Sequence, residues 1–358
     1  MSLVIKRYPD LSPPVLFYSG TESLRFSEAH WLWLRETTTG LVPLDGVTTV
    51  LKATHNAAEP LINWALRQGF DKFKAMLSKH MGPNHAYELW ETELDSLIVE
   101  AKKAAKEKLN DAGDVGTQAH RHLEKVAKAT LGSDTRRLAE LIALMPEDPR
   151  AESCVIAAIL WCVEHDIEWI YSERPVYHID HGYCGTLDNV AWASSCKNPL
   201  CCPTPFTRRR VQVDYKSSNA LRVEYCLQTA AYTAALEREK PDEVIDDRFI
   251  LRLDKETAAF EPWHLEGRDL QKQDFAAYLD ALACFRSGRA VEARMNTIRE
   301  VRRAAEREIK KAAKEAAHRK ECPKAADYKG SRLTKCFEDG TQCEACRAKY
   351  IANHPENS

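Results

Sequence analysis

The feature that most constrains the fold is a change of hydrophobic pattern near residue 167. Before it, an apolar run from Ala151 to His165 predicts a buried helix. After it, short runs of β-branched and aromatic residues (IEWIYSERPVYHI, GTLDNVAWAS and RRVQVDYKSS) predict three strands. The run LRVEYCLQTAAYTAALEREK then predicts an amphipathic helix, and DDRFILRLDKETAAFEPWHL predicts a hairpin-like pair of strands. This order favours an α/β fold with a mixed central sheet flanked by helices.

At 358 residues, the chain is long enough for one sizeable core with appendages. We predict a helical N-terminal region over residues 1–110, which begins with a strand or turn and ends in a loop at Asn110, Asp111 and Gly113. Residues 111–268 are predicted to form the core, residues 269–320 a charged helical arm, and residues 321–358 a cysteine-bearing tail.

The composition limits where the protein works and what it binds. No run approaches the ~18 consecutive apolar residues of a membrane span, and the N-terminus lacks a secretory signal. We therefore expect a cytoplasmic protein with no membrane partner, whose 12 cysteines are reduced. The formal charge of -2 gives no overall attraction to nucleic acid, so any binding to a polyanion depends on local basic segments.

Three charged residues occur inside predicted strands, where such residues are uncommon. Asp214 and Lys216 are two positions apart and therefore share one face of their strand, next to Asp188 on the preceding strand. Two carboxylates that hold a hard divalent cation, with an ammonium group beside them, suit the hydrolysis of a phosphodiester. For the Asp214 and Lys216 pair alone, the alternative is a surface ion pair on an edge strand.

Four short motifs surround these residues in a fixed order along the chain. They are a G-x-x-x-H helix at Gly116 and His120, G-x-x-D at Gly185 and Asp188, D-x-K at Asp214 and Lys216, and Q-x-x-x-Y at Gln228 and Tyr232. In this order, and over about residues 40–265, the chain resembles the PD-(D/E)XK nuclease superfamily. Within that superfamily it is similar to the RecB-like exonucleases, which include CRISPR-associated and phage recombination nucleases.

The resemblance implies a restriction-endonuclease-like core and a Mg²⁺- or Mn²⁺-dependent deoxyribonuclease. The implied function is an exonuclease that acts on linear DNA in recombination, repair or phage DNA processing, in the cytoplasm of a bacterial or phage-infected cell. The alternatives are a structure-specific endonuclease, a non-catalytic DNA-binding protein that retains the fold, and a nuclease that acts on RNA.

The same resemblance assigns roles to individual residues. The metal ligands would be His120, Asp188, Asp214 and the backbone carbonyl of Tyr215. Lys216 would act on the attacking water, and Gln228 with Tyr232 would organise DNA near the scissile phosphate. An imidazole ligand suits a softer ion than magnesium, so His120 also predicts that manganese supports activity.

Glu173, on the first predicted strand, has two interpretations. It is either a further carboxylate near the metal or an ion-pair partner for Arg174 or another basic neighbour, and we favour the ion pair. An insertion after the second strand, SSCKNPLCCPTPFTRRR, contains Cys196, Cys201 and Cys202. It is either a DNA-contacting loop or an insertion without a role in DNA binding. Its adjacent cysteines are a poor signal for zinc.

The last part of the chain carries a basic helix and a group of cysteines. Seven basic residues are dense in the helix: Arg299, Arg302, Arg303, Arg307, Lys310, Lys311 and Lys314. This helix is either solvated or a phosphate-contacting arm. Four cysteines then predict a structural zinc site: Cys322, Cys336, Cys343 and Cys346.

Two alternatives to zinc remain open for these four cysteines. The first is an iron–sulfur cluster, which some RecB-like nucleases hold with one cysteine from the N-terminal side of the core. The resemblance disfavours it here because no cysteine precedes Cys154. The second is a set of free thiols. Because the tail lies outside the predicted core, we also expect that it recruits a single-strand-annealing or replication protein.

Overall fold

The computed structural model describes residues 8, 10–55, 58–80, 91–131, 135–199, 201–218 and 220–321. The chain forms two compact units, one up to Phe285 and one from Arg286 onward. The first unit contains two β-sheets and the helices that cover the larger one. In its described part, the second unit is the continuation of one long helix.

The first unit begins with a small antiparallel sheet. Its strands, in spatial and chain order, are β1 (Val15–Phe17), β2 (Glu22–Ser27), β3 (Leu32–Thr37) and β4 (Gly40–Pro43). The prediction of a helical N-terminal region is therefore wrong over these residues. Such short apolar runs are ambiguous from sequence, and cross-strand pairs favour the sheet here. An example is Arg25 Nε, which lies 2.6 Å from Glu36 Oε1.

The larger sheet has six strands and mixed directions. They are β5 (Asp45–Gly46), β6 (Glu168–His178), β7 (Tyr183–Ala193), β8 (Arg209–Lys216), β9 (Asp247–Leu253) and β10 (Phe260–Glu266). The order is β10-β9-β8-β7-β5, and β6 pairs with the other edge of β7. The β8–β9 and β7–β5 pairs are parallel and the others antiparallel. The predicted mixed sheet, its three consecutive strands and the later hairpin are confirmed.

Helices cover both faces of the larger sheet. They are α1 (Val47–Thr54), α2 (Ala58–His80), α3 (Glu91–Leu131), α4 (Thr135–Ala143), α5 (Pro149–Glu164), α6 (Val223–Glu239) and α7 (Arg268–Glu321). On one face, α3 and α5 bury residues such as Trp161 against Val213 and Phe249. On the other, α1, α6 and the start of α7 bury Leu227 and Tyr278 against the sheet. Among the described helices, none combines the length and apolar character needed to cross a bilayer.

Helix α3 passes without a break through the predicted domain boundary at residue 110. The predicted loop at Asn110, Asp111 and Gly113 is wrong, because these residues are helical. A glycine inside a helix costs only about 1 kcal/mol, and tertiary contacts offset that cost. The Arg150 guanidinium donates to both Asp111 carboxylate oxygens, at 2.6 and 2.8 Å. One continuous helix therefore carries His120 to the sheet.

Candidate functional site

The candidate site lies where strands β7 and β8 separate. One edge of β7 pairs with β5 at Tyr183 and Cys184, and with β8 only from Asn189 onward. Asp188 lies in the gap between these two partners. Its Oδ2 accepts a hydrogen bond from the backbone N–H of Tyr215, at 3.2 Å. At this position the Tyr215 N–H thus donates to the Asp188 carboxylate instead of to a backbone carbonyl of β7.

Three ligand-bearing side chains converge next to this gap. One ligand atom each from His120, Glu173 and Asp188 lies within 4.8 Å of the others. The His120 Nδ1 to Asp188 Oδ2 distance is 3.9 Å. An imidazole nitrogen with two carboxylates is a donor set that a divalent ion such as Mn²⁺ accepts. The predicted neighbours His120 and Asp188 do meet, and Glu173 completes the group.

Glu173 is placed differently from our preferred interpretation. Arg174, its expected ion-pair partner, binds Glu239 instead, at 3.0 Å. In the pairing of β6 with β7, Ser172 is opposite Asn189 and Arg174 is opposite Leu187, which sets Glu173 opposite Asp188. Its φ of 48° is in the left-handed region, which is unusual for a residue within a strand. The backbone therefore holds a second carboxylate towards the gap at some conformational cost.

Asp214 and Lys216 form an ion pair on β8, as their two-residue spacing predicts. Lys216 Nζ lies 2.5 Å from Asp214 Oδ2, and the Asp214 side chain is fully buried. Within the described part of the chain, Asp214 Oδ1 accepts no hydrogen bond. A buried carboxylate oxygen without a partner is costly unless a cation satisfies it. Asp214 is outside the mutually close group of His120, Glu173 and Asp188.

Burial changes the ionisation of these groups. Burial raises the pKa of Asp214 to about 7, against the opposing effect of Lys216. Burial, and then the Asp188 charge, likewise raise the pKa of Glu173 to about 7. Burial would lower the pKa of Lys216, but Asp214 and Asp188 outweigh it and raise that pKa, so the group stays an ammonium.

The His120 imidazole is neutral. Burial lowers the pKa of its imidazole, against the opposing effects of Asp188 and of a hydrogen bond to the Tyr215 backbone. At pH 7 the ring is therefore neutral. Metal ligation by the Tyr215 backbone carbonyl stays a prediction.

Helix α6 forms a second wall of the site. Gln228 Nε2 donates to the Tyr232 hydroxyl at 3.1 Å, so the two predicted residues of this helix act as a pair. A Cβ at Gly185 would lie 2.4 Å from Tyr232 Cε1, and only glycine allows this approach. Tyr225 of the same helix was not identified from sequence. Its ring lies 4.9 Å from Lys216 Nζ.

An open cleft of about 400 Å³ gives access to the site from the side of helix α3. Its lining residues are Gly113, Gly116, Thr117, His120, Arg121, Glu124, Glu173 and Ser217. A Cβ at Gly116 would lie 2.5 Å from Ser217 Oγ, so this glycine brings α3 close to the end of β8. The glycines at positions 116 and 185 thus permit two close contacts that shape the site.

A second group of potential ligands was missed by sequence reasoning. His165 lies near Cys196, Cys201 and Cys202, with one ligand atom of each within 4.8 Å of the others. This Cys₃His group could hold a metal such as zinc. Its only sequence signal is three cysteines within one short insertion, because His165 belongs to a distant part of the chain. The predicted zinc ligands Cys322, Cys336, Cys343 and Cys346 lie outside the described residues.

Comparisons with known proteins add no family assignment. Searches of protein-family models and of curated proteins found no match to this chain. What the site can do is therefore inferred from its own residues, which offer a nitrogen and several carboxylate oxygens beside a buried ammonium group.

Proposed function

We propose that this chain is a divalent-metal-dependent nuclease of the PD-(D/E)XK type, which hydrolyses phosphodiester bonds in linear DNA as an exonuclease. The observation that carries the proposal is the convergence of His120, Glu173 and Asp188 next to the Asp214–Lys216 ion pair. Cation ligands and a fixed positive charge side by side are what the transfer of a phosphoryl group to water requires.

The residues present fit a divalent ion. His120, Glu173 and Asp188 would hold it. Asp214 stays a predicted ligand, and its Oδ1 has no hydrogen-bond partner among the described residues. Bound Mg²⁺ or Mn²⁺ would supply Lewis acidity towards the phosphate and lower the pKa of a bound water. Because the set contains an imidazole, manganese is expected to serve at least as well as magnesium.

Lys216 acts through its positive charge. Its raised pKa keeps the ammonium protonated at neutral pH, so it is a poor base. It is instead suited to orient water and to stabilise negative charge that develops at the phosphate. Asp214 fixes its position, and the Tyr225 ring covers it. Glu173 would ligate the metal, so it is not assigned as a proton acceptor.

The choice of DNA as substrate rests on the resemblance and on the basic helix. In helix α7, residues from Arg299 to Lys311 are exposed and available to phosphates. Arg302 has an i,i+4 neighbour in Glu306, at 3.5 Å, which is typical of a solvated helix. Both interpretations of this helix therefore remain, and the catalytic proposal does not depend on it. Recruitment of a partner by the cysteine tail also remains a prediction.

The rival is a binding protein that retains the fold without activity. A fully buried carboxylate and an adjacent ammonium are expensive to keep, and hydrophobic residues often replace such pairs without loss of stability. Retention of Asp214 and Lys216 together with Glu173 and Asp188 therefore favours a working site.

Digestion of end-labelled linear DNA and covalently closed circular DNA tests the proposal, with Mg²⁺, Mn²⁺ or EDTA present. Linear DNA should be degraded only with metal, and Asp214→Asn should abolish the activity. The matched control is Asp180→Asn, which removes an exposed carboxylate that pairs with Arg238.

The other outcomes separate the alternatives. Cutting of the circles would support an endonuclease, and cleavage of RNA alone would change the substrate. No cleavage of any nucleic acid by the pure protein would refute the enzyme and favour the binding protein.

A further inference from the structure

We infer that His165, Cys196, Cys201 and Cys202 form a structural zinc site, which fastens the insertion between β7 and β8 to the end of helix α5. Three ligands come from the insertion, and His165 directly follows the last residue of α5. This site is separate from the proposed catalytic centre, and its existence does not depend on the nuclease activity.

Four of the six distances between the ligand atoms match the edges of a tetrahedron around zinc, and the other two are at most 4.8 Å. Bonds of about 2.3 Å to sulfur and about 2.0 Å to nitrogen place two sulfurs about 3.8 Å apart, and sulfur and nitrogen about 3.5 Å apart. The Cys202 Sγ lies 3.7 Å from Cys196 Sγ and 3.8 Å from Cys201 Sγ. His165 Nε2 lies 3.3 Å from Cys201 Sγ and 3.5 Å from Cys202 Sγ.

The histidine is oriented as a zinc ligand. Its Nδ1 lies 2.9 Å from the Trp161 carbonyl oxygen, so this nitrogen carries the proton and donates it. Nε2 is then left with its lone pair towards the cysteines. The ring is fully buried and stacks on the Trp161 indole, with centroids 4.4 Å apart. Zinc-bound histidines usually have their second nitrogen fixed in this way.

Disulfides do not explain the cluster. Sulfur–sulfur distances of 3.7 and 3.8 Å are far longer than the ~2.05 Å of a disulfide bond. Four protein ligands, three of them buried, leave no open position for a substrate, which is typical of a structural zinc site.

The insertion has its own reason to need such an anchor. Two hydrogen bonds between Ser195 and Phe206 join the ends of the insertion. The Phe206 N–H donates to Ser195 Oγ, and the Ser195 N–H donates to the Phe206 carbonyl, each at 3.0 Å. The backbone N–H groups of Cys201 and Cys202 both donate to the Asn198 carbonyl, at 3.1 and 2.9 Å. These local bonds shape the loop, and the zinc would attach it to the core.

The three arginines that follow are engaged by the fold. Arg208 lies 2.6 Å from Glu168, and Arg209 lies 2.8 Å from Asp247. The Arg210 guanidinium lies 4.9 Å from the Trp192 ring centroid. Of the two interpretations of the insertion, these contacts favour a structural element over a DNA-contacting loop.

The test measures zinc in the untagged full-length chain with all four cysteines of the tail changed to serine. Asp188→Asn is added to this background, so that neither the possible site at Cys322, Cys336, Cys343 and Cys346 nor the proposed catalytic centre contributes zinc. The protein should contain one zinc per chain, and Cys201→Ser with Cys202→Ser should lower the content about tenfold or more. The matched control is Cys154→Ser, because Cys154 is buried and, among the described residues, its thiol bonds to the Leu253 carbonyl alone.

A second measurement does not require the protein with Cys201→Ser and Cys202→Ser to fold. Cobalt exchanged into the same background should give the strong visible and charge-transfer bands of tetrahedral thiolate coordination. Chelation of the metal-loaded protein should make three further thiols reactive. A background protein that binds no zinc, or cobalt spectra without thiolate bands, would overturn the inference. Zinc content that survives the double substitution would also do so.

Discussion

Replacement of Gly185 by alanine should both destabilise the first unit and impair the site. An added Cβ would lie 2.4 Å from Tyr232 Cε1, 3.1 Å from its Cζ and 3.2 Å from its hydroxyl oxygen. Ordinary contact begins at 3.4 Å, so the ring or the strand must move by about 1 Å. Tyr232 is buried, and the movement would also disturb the hydrogen bond that its hydroxyl accepts from Gln228.

The magnitude follows from two opposing effects. Overpacking in a core costs about 1–3 kcal/mol. Loss of glycine from the unfolded chain returns about 0.4–1 kcal/mol. The free energy of unfolding of Gly185→Ala should therefore fall by about 1–2 kcal/mol. A displacement of about 1 Å in a positioning residue should reduce cleavage about 100-fold.

Two other glycines serve as controls in the same assay. A Cβ at Gly116 would lie too close to the Ser217 hydroxyl, at 2.5 Å, but this group can rotate away, and Ser217 Cβ at 3.7 Å is in ordinary contact. Gly116→Ala should therefore stay within about 1 kcal/mol of the wild type. A Cβ at Gly113 has nothing within 4 Å, so Gly113→Ala should stabilise helix α3 by about 0.5–1 kcal/mol.

Urea unfolding followed by circular dichroism ranks the three variants, and cleavage of a labelled oligonucleotide gives their activities. The expected order of stability is Gly113→Ala, Gly116→Ala, then Gly185→Ala. If Gly185→Ala matches the wild type in both assays, the close packing of Tyr232 against β7 is refuted.

Three further predictions follow from buried charges. Lys216→Met should lower the single-turnover cleavage rate about 100-fold or more without unfolding the protein, and unchanged cleavage would exclude its electrostatic role. In EDTA, the wild type should lose stability relative to Glu173→Gln as the pH rises from about 4.5 to 7. The reason is that the pKa of Glu173 is higher in the folded than in the unfolded protein. Its contribution to stability is therefore complete below the ordinary carboxyl pKa and is lost as the pH rises through about 7. If the free energy of unfolding of the two proteins changes with pH in parallel, this prediction is wrong. Asp274→Ala should lower the free energy of unfolding in urea by about 3–5 kcal/mol, because it removes the carboxylate that lies 2.6 Å from the buried Arg248 guanidinium. A loss below about 1 kcal/mol would show that the pair is unimportant.

Sequence reasoning found the parts of the site that depend on local pattern. Alternating strand residues placed Asp214 and Lys216 on one face, and helical spacing paired Gln228 with Tyr232. These relations involve neighbours along the chain, so period and spacing are enough to predict them.

The features that sequence missed depend on contacts between distant segments. Glu173 joins the site because register sets it opposite Asp188 and its backbone adopts a positive φ, and neither fact has a sequence signal. His165 meets the insertion cysteines only after α5 packs on the sheet. The N-terminal sheet was missed for the same reason, since its short strands are specified by pairing with one another.

The most direct test of the central claim measures cleavage of a labelled DNA oligonucleotide as Mn²⁺ is raised from zero. Wild-type cleavage should be absent in EDTA and should saturate with metal. Asp188→Asn should need about 10-fold or more metal for half its maximal rate, while Lys216→Met should lower the maximal rate and need no more metal than the wild type. Asp180→Asn should match the wild type. Cleavage that persists in EDTA, or an Asp188→Asn curve that superimposes on the wild type, would contradict a metal-dependent phosphodiesterase site at this position.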